Sequence, residues 1–318
     1  RILGSHADVK DAGELTDFNC QLRWMCDSFG PALLDLPLAR AAMTSDWREL
    51  GQRYLDHTQW HAAGRSFYTD KFPANFLNVG FIAKALPQAR ILHMTRDPLD
   101  VCFSNLKELF VNAYPHSYDQ AEMAQHFLRY RRLMSHWHQE FPGRVLDVDY
   151  AELVNAPERV AREVLSFCGL PWQDGVAAIE NRSSAVATAS SVQVRERIHS
   201  RFVGQWRADE KQLQPLRDLL ANAGELHRAI EAAVVPDDDT MRPADERQAV
   251  PRVQVPVVLV VERGPLDDHL DRVRSPRRNQ GRRLTVRERE VRDHDGPVLL
   301  AVDDPTETVV RMYQLDFA

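Results

Sequence analysis

Arg96-Asp97-Pro98, with Ser104 eight positions after the arginine, places a guanidinium and a hydroxyl where both can face one anion. Arg90 to Thr95 is a short apolar run without alternation, the pattern of an interior strand covered on both faces. Asp97 suits a helix N-cap and Pro98 the first helical position, because the missing proline N–H would have no partner there. Arg96 therefore stands at the carboxyl end of a strand and beside a helix amino terminus. Open α/β sheets bind ligands at such places, and a helix start adds free N–H groups and a positive dipole. A planar fork of donors plus a hydroxyl suits a phosphate monoester. The same residues also permit a plainer arrangement, with Arg96 paired to Asp97 or Asp100 at the surface and Ser104 merely a small residue.

Around this stretch the spacing of apolar residues defines the supporting elements. Leu99, Cys102, Phe103, Leu106, Leu109 and Phe110 recur at three- and four-residue intervals, predicting a helix whose buried stripe reaches Phe110. Residues 1 to 14 read as a helix end, a turn and a short segment returning to the sheet. Phe18 to Ala63 has helical spacing interrupted at Pro31 and Pro37. Ser66 to Thr69 is a short strand that ends in Asp70-Lys71-Phe72-Pro73, and a helix is expected over Phe76 to Ala85. A long helix over Gln120 to Glu140, a strand over Gly143 to Val148 and a helix opened by Tyr150 follow. Strands alternating with helices in this way predict an α/β fold with a central parallel sheet. His136 and His138 are two residues apart and so do not share a helix face; no metal site is expected.

Composition narrows the function classes. The chain has 318 residues, 44% of them hydrophobic, enough for one large or two ordinary domains. A net charge of −6 supplies no general basic field, so nucleic-acid binding by bulk electrostatics is excluded and any anion site must be local. Cys20, Cys26, Cys102 and Cys168 lack metal-ligand or CxxC spacing and read as reduced thiols, which fits a cytoplasmic protein. No apolar run approaches the ~18 residues of a membrane span.

Several stretches together resemble a known family. Arg96-Asp97-Pro98 with Ser104 is similar to the 3′-phosphate-binding segment of sulfotransferases that use 3′-phosphoadenosine 5′-phosphosulfate, PAPS. Gly13-Glu14-Leu15, Thr69-Asp70-Lys71-Phe72-Pro73-Ala74-Asn75, Asp149-Tyr150-Ala151-Glu152-Leu153 and Ser190-Ser191-Val192-Gln193-Val194-Arg195 agree with it in order and spacing. The resemblance covers about residues 1 to 225. It is strongest to the bacterial branch often fused to tetratricopeptide repeats and related to the protein-tyrosine sulfotransferases.

The resemblance implies a nucleotide-kinase-like, three-layer α/β sandwich, and transfer of a sulfuryl group from PAPS to a hydroxyl acceptor without a metal. Glu14 is the implied general base, with Asp17 a weaker rival, and Lys71 is implied to stabilise the leaving 5′-phosphate. Arg96 and Ser104 would hold the 3′-phosphate. Ser190, Ser191 and Arg195 would contact phosphate or ribose from a loop closing over the nucleotide, with Trp206 packing it. Tyr150 reads as structural, with adenine within its reach. The acceptor is a carbohydrate, a peptide tyrosine, a lipid or a small phenol, and residues alone do not choose among them.

Three departures stand beside the resemblance. Leu15 occupies a position that is acidic in the tyrosine-sulfating relatives, and Arg197 a position that is usually proline. The family's Pro-Arg-Ser-Gly-Thr-Thr type loop, which cradles the 5′-phosphosulfate, does not occur in the sequence, so the first strand and phosphate loop are expected to be missing. Two other readings follow: a truncated relative that binds 3′,5′-ADP or a partner without transfer, and a nucleotide kinase, which the absence of GxxxxGK[ST] disfavours. Residues 1–235 are expected to form the sulfotransferase domain. Residues 236–318 read as a charged linker and an Arg-rich extension, either disordered or a small module, with a strand expected over Val253 to Val261.

Overall fold

The computed structural model describes residues 1–30, 32–110, 114–178, 199–222 and 257–263. Its sheet is built from β1 (Val9–Asp11), β2 (Phe67–Asp70), β3 (Arg90–Thr95), β4 (Val145–Asp149) and β5 (Val257–Glu262), in the spatial order β1-β2-β5-β3-β4. The β1/β2 and β3/β4 pairs are parallel, whereas β5 is antiparallel to both β2 and β3. The other four strands therefore share one direction, and the expected parallel sheet is corrected to a mostly parallel one with a reversed strand in its middle. Edge pairing explains why a strand fills this slot. β2 and β3 do not bond to each other, so their facing edges need partners, and the apolar run Val257 to Val261 supplies N–H and C=O groups to both.

Side chains alternate along β5 as the pleat requires. Val257, Leu259 and Val261 enter one apolar cluster with Tyr68 and Ile91, and Val260 enters a second with Val9, Leu92 and Val148. Helices cover both faces. In chain order they are α1 (Ile2–Ser5), α2 (Asp17–Met25), α3 (Leu36–Ala42), α4 (Trp47–Thr58), α5 (Val79–Ala85), α6 (Pro98–Leu106), α7 (Gln120–Glu140), α8 (Tyr150–Asn155) and α9 (Pro157–Phe167). α2 to α7 pack into the first cluster; α1 and α9 pack into the second. The layering is helix, sheet, helix, as expected.

Two helix boundaries differ from the sequence reading. α6 ends at Leu106 and leaves Leu109 80% exposed, so the buried stripe does not reach Phe110. Asn105 turns its side-chain amide back onto the Val101 carbonyl (2.8 Å), and the Glu108 amide bonds only three residues back to the Asn105 carbonyl (3.2 Å), which tightens and ends the helix. The expected helix from Phe76 is in fact a 3-10 segment, Pro73–Asn78, followed by α5. Its Asn75 and Asn78 are fully buried and spend their side chains on Asp70 and Asn19.

β5 lies beyond residue 236, so part of the expected extension belongs to the central sheet. The four cysteines are free thiols, and no helix among the described residues is long and apolar enough to cross a membrane.

Candidate active site

Glu14, Lys71 and Arg96 all follow the carboxyl ends of parallel strands, after β1, β2 and β3 respectively. Gly13 makes the first placement possible. Its φ of +79° is one that side-chain-bearing residues rarely adopt, and its carbonyl accepts from the Lys71 amide at 2.8 Å. The turn brings the Glu14 carboxylate onto the Lys71 ammonium, which donates to Glu14 Oε1. Both side chains are about one-third exposed, so the pair faces solvent at the sheet end.

Asp70 precedes Lys71 and points the other way, because successive strand residues alternate. It is fully buried. Its carboxylate accepts from the Leu15 amide (3.2 Å), the Tyr54 hydroxyl (3.1 Å) and the Asn75 amide (3.5 Å). Burial pushes the Asp70 carboxyl up to about 7, although these three hydrogen bonds pull it down. One inward carboxylate thus ties the segment after Glu14, helix α4 and the segment after Lys71 to one point. Sequence reasoning gives Asp70 no task of its own, because its inward turn depends on the pleat of β2.

Arg96 follows β3, and Asp97 caps α6 by accepting from the Asp100 amide at 3.0 Å, as the sequence predicts. The guanidinium lies over the Tyr150 ring, 5.3 Å from its centroid, and donates to the Phe202 carbonyl. It also pairs with Asp100 at 3.6 Å. This is the plainer pairing that the sequence allowed, but it is not a surface one: Asp100 is 1% exposed and also accepts from the Gly204 amide at 2.6 Å. The buried Nε of Arg96 has no acceptor among the described residues. Around it, Tyr150 donates to the His199 carbonyl (3.5 Å), Lys107 donates to Gln205, and Trp206 is buried in the core. Residues 199–206 therefore lie over Arg96 and α6.

Ser104 sits on α6, partly exposed, and its hydroxyl takes no part in the hydrogen bonds around Arg96 among the described residues. Ser190, Ser191 and Arg195 lie outside the described residues. Asp17 opens α2. The structure thus joins Glu14 to Lys71, and Arg96 to the segment from His199 to Trp206.

Another cluster was invisible to helix periodicity. His138 does not pair with His136; it meets Asp147 of β4, which also meets His93 of β3. One ligand atom from each of His93, His138 and Asp147 lies within 4.8 Å of the others.

Comparisons with known proteins agree with this architecture. A family model described as "Sulfotransferase family" matches residues 1–174, which hold β1 to β4 and the Glu14, Lys71 and Arg96 positions. The chain is 34% identical over 239 residues to a protein of Aquifex aeolicus (strain VF5) described as an uncharacterized protein. That match covers 69% of this chain and 30% of the relative, so the chain spans under a third of the length of the protein it resembles. With more than half its length matched by the family model, the chain belongs to the sulfotransferase family.

Proposed function

We propose that this chain carries a sulfotransferase site that moves a sulfuryl group from PAPS to a hydroxyl acceptor. The observation that carries the reading is the buried Nε of Arg96 at the end of β3, without an acceptor among the described residues and in the same row of strand ends as the Glu14–Lys71 pair. A buried N–H without an acceptor is costly, and an anion entering beside Tyr150 would satisfy it. The residues present therefore fit the 3′-phosphate of the nucleotide.

PAPS, when bound, supplies a sulfuryl group on a leaving 5′-phosphate. Glu14 takes the acceptor's hydroxyl proton as the acceptor oxygen attacks sulfur. Lys71 stabilises the negative charge that grows on the oxygen released as the sulfur–oxygen bond breaks. Their pairing holds the carboxylate and the ammonium together at the sheet end until substrates part them. Tyr150 and residues 199–204 hold the Arg96 guanidinium in its plane, and Ser104, Ser190, Ser191 and Arg195 are assigned to the nucleotide with it. The acceptor is a carbohydrate, peptide tyrosine, lipid or small phenol.

One observation favours a second reading, binding of 3′,5′-ADP without transfer. A phosphate loop beside Lys71 would follow the carboxyl end of a parallel strand between β2 and β3, and that slot holds the reversed β5.

Calorimetric titration of the full chain with 3′,5′-ADP, against 5′-ADP and 2′,5′-ADP, tests the nucleotide assignment. Selective binding of 3′,5′-ADP that is lost in Arg96→Ala is the expected result. Equal binding of all three nucleotides, or none by a folded chain, would overturn it. A sulfation assay with labelled PAPS then separates transfer from binding alone.

A further inference from the structure

His93, His138 and Asp147 come from three elements and meet at the β3/β4 edge of the sheet. His93 and Asp147 are directly opposite in the parallel register of β3 and β4. His138 is near the end of α7, about two helical turns beyond Tyr130. His93 Nδ1 lies 2.6 Å and His138 Nε2 3.0 Å from the same carboxylate oxygen, Oδ1 of Asp147. Two imidazole nitrogens and a carboxylate thus converge on one point. His93 forms the floor at 5% side-chain exposure, while His138 and Asp147 are 37% and 49% exposed and leave a way in from solvent.

We propose that His93, His138 and Asp147 bind one first-row divalent cation of borderline softness, such as zinc or cobalt(II). Two neutral imidazoles and one carboxylate are a donor set such ions favour, and three protein ligands leave coordination positions open to solvent. Ligand atoms on a tetrahedral ion with bonds of ~2.0 Å stand ~3.3 Å apart, so the two nitrogen–oxygen spacings need only a small outward shift of the rings from Asp147. The groups behind the ligands also fit. The Tyr130 hydroxyl meets Nε2 of His93, the nitrogen away from Asp147. When the ion takes the Nδ1 lone pair, the ring proton sits on Nε2 and the Tyr130 oxygen accepts it, which fixes both tautomer and orientation. The site shares no residue with the proposed sulfuryl-transfer site, so neither proposal depends on the other.

The test uses the full chain, stripped with chelator and titrated with cobalt(II) by calorimetry and visible absorption. One equivalent per chain, with the absorption of a low-coordinate cobalt(II) site and displacement by zinc, is expected. His138→Ala and Asp147→Asn should each weaken this binding at least ~100-fold. His57→Ala, at an exposed histidine outside the cluster, should leave it unchanged. Failure of the folded chain to bind one equivalent would overturn the proposal. So would binding that survives intact in His138→Ala, because the ion would then sit on other histidines.

Discussion

Asp70 and Lys71 are neighbours with opposite tasks, and their variants should separate accordingly. Under the proposed reading Lys71→Ala lowers kcat ~10²–10³-fold, since a fixed charge at the leaving oxygen is lost. Its thermal stability should barely change, because the side chain is part-exposed and its ion pair with Glu14 stands in solvent. A normal turnover rate in that variant would remove Lys71 from the mechanism. Asp70 acts on stability instead. Its folded-state value of about 7 lies above that of an unfolded aspartate, so the folded chain holds the proton more tightly. That contribution is fully present below pH ~4 and is lost as pH rises through about 7. Melting temperature should therefore fall between pH 5 and 8, and Asp70→Asn should flatten the profile. An unchanged slope in Asp70→Asn would assign the dependence to other groups.

The helices reach the site only because two of them approach more closely than side chains normally allow. Gly51 lies in the middle of α4, and a Cβ built there would land on the carbonyl oxygen of Ala85 at the end of α5. Helix propensity alone favours Gly51→Ala by ~1 kcal/mol. The contact reverses the sign, since a backbone carbonyl cannot swing aside as a side chain can. Urea denaturation should show Gly51→Ala destabilised by ~1–3 kcal/mol. A variant more stable than the parent would show that the α4–α5 approach is looser than described. α4 also carries Tyr54, which bonds Asp70, so a shift of α4 should be felt at the segment that holds Lys71.

The sheet holds together through β5. β1/β2 and β3/β4 are two parallel pairs with no bonds between them, and β5 bridges both. Leu259 is fully buried, paired with Asp70 of β2 and Ile91 of β3. Leu259→Ala should lower stability by ~2–5 kcal/mol. Glu262→Ala, at the exposed end of the same strand, should stay within ~0.5 kcal/mol. Comparable losses from both would mean that β5 is not packed as described. Because β5 borders β2 at Asp70, a damaged β5 is also expected to weaken nucleotide binding, which the same calorimetry reads.

Local rules sufficed wherever the chain satisfies its own bonds. The β3 run, the Asp97 cap and Pro98 start of α6, and the bounds of α7 follow from apolar spacing and capping chemistry within a few residues, and all appear as read. The ordered motifs around Lys71 and Arg96 were likewise enough to mark the sulfotransferase family. Pairings between distant residues were not legible, because nothing local encodes them. That Asp70 turns inward and Glu14 takes Lys71 depends on the pleat and on the Gly13 turn meeting β2. His138 shares no helix face with His136, and only the sheet strands β3 and β4 bring His93 and Asp147 against it. The direction of β5 was the least legible of all. An apolar run pairs with a strand edge in either sense, so nothing within Val257 to Val261 itself fixes the antiparallel pairing with β2 and β3.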